Sequence, residues 1–249
     1  MLAVAERQAD LIAGVLRAGS VPLVVGGDCT TLLGTAAGLR RVGLEFGLVC
    51  LDAHGDFNTA ATTPSGNLHG MTVAALAGRG DRGLLALFER AVSVPTRRIA
   101  LLGVRDLDPP ETVALRDAGV RPLDPAALRR RGFGPAGVEA GATALAAPEG
   151  WAPPAGFLLH LDVDVLDPSV APGVGLPVAG GLTLPELEAV LSPLLASGRI
   201  LALDLTEAAP LLDGSGRTAI LIEGLLRLAI PALARSRPAL LAALRPPAA

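Results

Sequence analysis

Five short apolar runs recur along the chain, at 21–25, 46–51, 98–104, 157–163 and 200–205, and several are continuous instead of alternating with polar residues. Strands buried on both faces read this way. Longer stretches of helical periodicity separate them, at 2–17, 31–41, 70–78, 110–118, 125–130, 136–146, 184–196 and 218–234. The stretch Thr183-Leu-Pro-Glu186 carries a threonine cap, a first-turn proline and a glutamate at the capping-box position. Strand–helix alternation of this kind predicts an α/β fold, a three-layer αβα sandwich around a mainly parallel sheet. No internal repeat interrupts it, and the proline-rich 147–154 reads as a loop, because a strand follows at once.

Composition narrows the class. The chain has 249 residues, enough for one domain with a sizeable core, and it is 51% hydrophobic but only 2% aromatic. Such a core must be built from Ala, Leu and Val. A net charge of −3 excludes a strongly basic nucleic-acid surface, and the one basic cluster, Arg129-Arg130-Arg131, reads as a solvated helix end. Two cysteines, Cys29 and Cys50, cannot form a disulfide framework, so a reducing, cytoplasmic compartment is the expectation. No apolar stretch approaches the ~20 residues needed to span a membrane. The N-terminus reads as an amphipathic helix, because Glu6, Arg7, Gln8 and Asp10 break its apolar positions.

The polar residues then fall where such a sheet binds ligands, past the carboxyl ends of its strands. Gly26-Gly27-Asp28-Cys29 follows the first run, Asp52-Ala-His54-Gly-Asp56 the second and Arg105-Asp106-Leu-Asp108 the third. Asp162-Val-Asp164 ends the fourth and Thr206-Glu207 the fifth. Residues two apart on an extended segment share a face, so Asp52, His54 and Asp56 project together, as do Asp162 and Asp164. One histidine with four carboxylates is a hard donor set, suited to Mn²⁺ or another divalent ion and too rich for a single one. Two such ions can hold a hydroxide between them and clamp a polarised substrate.

These motifs resemble the ureohydrolase family, on its arginase side more than its agmatinase side. The resemblance rests on GGDCT at 26–30, DAHGD at 52–56, HLDVDVLDP at 160–168 and DLTEAAP at 204–210, with DFNTAATTPSGNLHGM at 56–71 and GVRDLDPPE at 103–111. It implies a binuclear metal centre, two Mn²⁺ or other divalent ions, that hydrolyses the guanidino group of L-arginine or a close analogue to urea and an amine. By the same resemblance Asp52 and Asp162 bridge the ions, Asp56 completes one site and orients the hydroxide, and His54 with Asp164 completes the other. Glu207 holds the guanidinium and His69 shuttles protons. Asn58, Ser65, Asn67 and Asp108 grip the α-carboxylate and α-amino group.

The chain departs from the family pattern at several positions. Cys29 stands at a metal-binding histidine, and a thiolate there would be softer and give the ligands five negative charges against the four positive ones of two divalent ions. A buried apolar thiol is the other reading of Cys29. His160 replaces a serine or threonine, two residues before Asp162, and reads as a partner behind the ligands or as a compensating ligand. Leu176 and Ala208-Ala209 replace more polar residues and loosen substrate identity. The resemblance implies a single domain over 1–249 lacking one or two N-terminal strands, since only 25 residues precede GGDCT. Either the sheet has lost an edge or the natural start lies upstream, and an open edge favours association. A homo-oligomer, trimer or hexamer, is implied. The alternatives are a ureohydrolase acting on N-hydroxyarginine, agmatine or a formimino amino acid, and a catalytically weakened homologue that binds metal or arginine.

Overall fold

The computed structural model of the chain describes residues 1–88, 93–133 and 156–245. The expected helix at 136–146 and loop at 147–154 lie outside the described residues. In chain order the main elements are α1 (Leu2–Arg17), β1 (Leu23–Val25), α2 (Thr31–Arg41), β2 (Phe46–Leu51), α3 (Thr72–Leu76), α4 (Arg82–Ala86) and β3 (Ile99–Leu102). Then come α5 (Pro109–Asp117), α6 (Pro125–Arg131), β4 (Gly156–Asp162), α7 (Leu184–Ala196), β5 (Ile200–Thr206) and α8 (Arg217–Ala243).

The strands form one sheet in the order β1-β5-β4-β2-β3, with every neighbouring pair parallel. All residues of β2, β3, β4 and β5 are buried, as the continuous apolar runs require. Alternate residues of β2 serve opposite layers. Phe46, Leu48 and Cys50 join a core with α1, α2 and α3, while Val49 and Leu51 join one with α7 and α8. The αβα sandwich read from the sequence is the fold observed.

Small residues let the first layer close. Gly38 on α2 lies so near Ile12 on α1 that an added Cβ would sit 2.5 Å from that side chain, so nothing larger fits there. The expected helix at 70–78 is shorter, a 3₁₀ turn at His69–Met71 running into α3, and α4 was not expected. The last helix runs nine residues past its expected end at 234, through Pro231 and Pro238. These prolines are seven apart and both exposed, so their missing N–H groups cost little on the outer face. Leu225, Ala229, Ala232, Leu233, Ser236 and Leu240 keep the inner face packed. Among the described residues, no helix is long and apolar enough to cross a membrane.

The basic triplet closes α6, and Arg129 reaches across to Glu186 in the first turn of α7 at 2.7 and 3.0 Å. Glu186 also accepts from the backbone N–H of Thr183, closing the expected capping box. The Arg129 guanidinium lowers the Glu186 carboxyl from 4.5 to about 2. A lowered folded-state value contributes stability above the unfolded value and loses it as pH falls. Glu186→Gln keeps the cap and removes the charge. Wild type should therefore melt above this variant at neutral pH, and the gap should close between about pH 4.5 and about pH 2 in a series of thermal melts.

Candidate metal and substrate site

Parallel pairing delivers the polar residues to one edge. Asp52 follows β2 directly, and its N–H donates to the Leu102 carbonyl at 3.0 Å, which extends the β2–β3 ladder by one step. A further bridge between His54 and Asp106 carries that pairing outward. Asp162 is the last residue of β4, and a 3₁₀ turn at Val163–Val165 swings Asp164 back toward it. Glu207 follows β5, where its N–H donates to the Gly27 carbonyl at 2.9 Å and ties the β5 end to the β1 loop. Among the described residues, Asp56 and Glu207 are the only non-glycine positions with positive φ, 50° and 62°. Backbone held in that region is costly and collects at functional sites.

The ligand-type residues converge. Asp52, His54 and Asp164 offer donor atoms within 4.8 Å of one another, as do Cys29, Asp162 and Glu207, and Cys29, Asp52 and His160. His54 Nδ1 lies 3.0 Å from Asp164 Oδ2 and 3.4 Å from Asp52 Oδ1. Asp56 faces the same pocket with its Oδ2 accepting from the Thr72 hydroxyl at 2.9 Å, and it joins none of the three clusters. Asp52, Asp56, Asp162 and Asp164 are all buried.

Burial, then repulsion from Asp164, pushes the Asp52 carboxyl up to about 6. Burial and the neighbouring carboxylates raise Asp56 and Asp162 well above the usual range. Burial alone would lower His54, yet its contacts with Asp164 and Asp52 push it up to about 11. Crowded, buried carboxylates beside imidazole nitrogens are a donor set whose mutual repulsion a cation relieves. The donor set fits divalent metal.

Cys29 sits among these acids. Its Sγ lies 3.1 Å from Asp162 Oδ2, 3.9 Å from Asp52 Oδ2 and 3.3 Å from His160 Nε2. Its backbone N–H donates to Glu207 Oε1 at 3.0 Å. Behind it runs a buried polar chain that sequence reasoning missed. Asp204 on β5 pairs in register with His160 on β4, accepts from the Thr35 hydroxyl at 2.8 Å, and Thr35 in turn accepts from Gln8 Nε2 at 2.9 Å. An acid inside the apolar run 200–205 was the available signal.

A pocket of about 380 Å³ opens over the cluster. Glu207 and His69 meet on its wall, with Nδ1 3.2 Å from Oε1, and that hydrogen bond raises His69 above its ordinary value despite partial burial. Asn58 donates to Asp108 Oδ2 at 2.8 Å. Ser65 and Asn67 are exposed on the loop at the rim, where Asn67 N–H donates to the Ser65 hydroxyl at 3.2 Å. Leu176 also lines the mouth and is 47% exposed.

Two further residues brace the site. Glu111 accepts from the Phe57 N–H at 2.7 Å and the Asp108 N–H at 3.3 Å, joining the two substrate-side loops. Arg105 donates to the carbonyls of Gly103, Asp164, Val165, Leu166, Val178 and Ala179, clamping the Asp164 turn to the Leu176 loop. A planar fork is needed for so many acceptors, so lysine should not replace it. Arg105→Gln should cost roughly 2–3 kcal/mol, read as a lower urea midpoint with an unchanged slope.

A parallel α/β sheet presenting buried acids, a histidine and a pocket of about 380 Å³ past its strand ends defines a protein of the α/β class with a candidate metal site. The comparisons with known proteins carry the assignment one step further. A model of the arginase family matches residues 2–230, and the chain belongs to that family. It is 36% identical over 214 residues to an arginase of Brevibacillus brevis, covering 86% of this chain and 70% of that one. A crystal structure of arginase from Bacillus subtilis subsp. subtilis str. 168 superimposes with a TM-score of 0.84 at 33% identity, covering 92% of this chain and 77% of that one. A structure described as a hypothetical agmatinase, from Burkholderia thailandensis, shares the fold at a TM-score of 0.71 and 24% identity, over 96% of this chain and 67% of that one.

Proposed function

We propose that the chain hydrolyses the guanidino group of L-arginine to urea and ornithine. The observation that carries this reading is the meeting of Glu207 and His69 directly beside the cation-ready acid cluster, within one pocket. Asp52, His54, Asp56, Asp162, Asp164 and Cys29 would hold two divalent cations, Mn²⁺ or another, which supply Lewis-acid polarisation and an activated water when bound.

Glu207 takes the planar cation by a charge-assisted pair, and the Cys29 N–H fixes one of its oxygens. Its left-handed backbone turns the side chain off the strand direction toward the pocket. Thr72 holds Asp56 from behind, leaving the other oxygen of that carboxylate to orient the attacking water. His69 carries protons between solvent and the reacting nitrogens, and its contact with Glu207 keeps the protonated ring available for the leaving amine. Asp108 and Asn58 receive the α-amino group, while Ser65 and Asn67 receive the α-carboxylate at the rim. Exposure of these last two residues fits contacts that form only with substrate present.

The same reading takes residues 1–249 as one catalytic unit, working in the cytoplasm as a homo-oligomer, trimer or hexamer. Two buried free thiols support a reducing compartment.

Assay of urea and ornithine tests the reaction. L-arginine should be turned over when a divalent ion is added and not after chelation, and Asp162→Ala should lower kcat by about a thousandfold or more. Agmatine, which lacks the α-carboxylate, should be a poor substrate. Release of urea by Asp162→Ala at the wild-type rate would contradict the reading.

A further inference from the structure

Cys29 and His160 are unusual together, because each gives the other a purpose. His160 is fully buried, and its two ring nitrogens face polar groups on opposite sides. Nε2 lies 3.3 Å from Cys29 Sγ, with the Thr206 hydroxyl 3.5 Å away. Nδ1 lies 3.7 Å from Asp204 Oδ2, and neither of these buried atoms has a hydrogen-bond partner. The other Asp204 oxygen is already fixed by Thr35, so the carboxylate is held in place with one lone-pair face turned to the imidazole. A histidine that merely filled the core would have no need of a prepositioned acid at its back. A ligating histidine commonly has one, since a carboxylate that accepts from the far N–H sets the tautomer and presents the near nitrogen as a lone pair.

The near nitrogen has suitable company. Donors around a tetrahedral ion with metal–sulfur and metal–nitrogen bonds near 2.3 and 2.0 Å stand roughly 3.5 Å apart. Cys29 Sγ is 3.3 Å from His160 Nε2 and 3.9 Å from Asp52 Oδ2, which brackets that spacing, and the three donors lie within 4.8 Å of one another. On the far side of Asp52, the cluster with His54 and Asp164 contains only oxygen and nitrogen donors. The two halves of the site therefore differ in softness.

We propose that Cys29, His160 and Asp52, whose donor atoms lie within 4.8 Å of one another, form a mixed thiolate–imidazole–carboxylate position that takes a thiophilic divalent ion such as Zn²⁺ or Co²⁺ in preference to Mn²⁺. The proposal rests on the reading that the site holds two divalent ions, and it assigns a metal class to one of them. Coordination replaces the thiol S–H bond by a sulfur–metal bond and releases the proton to solvent. Asp204 acts through His160 as a positioning residue. Thiolates select such ions, whereas carboxylate-rich positions suit Mn²⁺.

Cobalt titration of the chelator-treated full chain, followed by absorption and elemental analysis, tests this directly. Two Co²⁺ should bind per chain, with a near-ultraviolet thiolate-to-cobalt band saturating at one equivalent and strong visible bands of tetrahedral cobalt. Cys29→Ser should abolish the thiolate band and keep the ion at Asp52, His54 and Asp164. His160→Ser should keep the thiolate band and weaken the tetrahedral visible bands, a change that loss of packing alone would not produce. Asp204→Asn should retain both signatures and weaken the affinity of this position by about 10–100-fold. Two bound cobalt ions without a thiolate band would overturn the proposal and leave the two-ion reading standing. Failure of wild type to bind cobalt at all would overturn both. The wild-type spectrum needs no variant to fold.

Discussion

Mutual repulsion among carboxylates buried at adjacent strand ends is the constraint around which this molecule is arranged. A parallel sheet places Asp52 and Asp162 side by side because β2 and β4 are neighbours in register, and the turn after β4 adds Asp164. Buried acids at such spacing cannot all carry charge unless positive charge lies among them. His54 supplies one positive charge and draws its proton tightly, but a single imidazolium does not neutralise four acids. Two divalent ions would. The elements around the cluster serve to hold this arrangement against its own repulsion. Arg105 pins the Asp164 turn through backbone carbonyls, Thr72 holds Asp56, and Glu111 locks the neighbouring loops.

The same constraint accounts for where strain is stored. Asp56 and Glu207, the two left-handed non-glycine residues described, both line the pocket. Each is tied by its backbone to another loop, Asp56 through its carbonyl to Ala74 on α3 and Glu207 through its N–H to Gly27. Strain survives where neighbours over-determine it, and here they do.

Much of this was legible in the chain itself. The layers and the strand ends that carry Asp52, Asp162 and Glu207 follow from the continuous apolar runs, whereas Asp164 reaches the cluster through a 3₁₀ turn and not through the two-residue period of an extended strand. The roles that local spacing does not reveal need knowledge of register or of the third dimension. Asp204 gains meaning only because β5 lies beside β4 with His160 opposite, and Arg105 only because two distant loops close over it. Helix α8 outruns its expected end at 234, since the exposure of Pro231 and Pro238 lets the packed face continue to Ala243. His160 was noticed as a departure, but its orientation between a thiol and a carboxylate could not be read from its neighbours in sequence.

The account stands on two cations balancing the acid cluster, and counting them is its most direct test. Elemental analysis of the full chain, loaded with excess divalent metal and freed of unbound ions, should find two ions per chain in wild type and fewer in Asp52→Ala. Wild-type protein that retains none under these conditions, while folded and with Asp52, Asp162 and Asp164 intact, would contradict it.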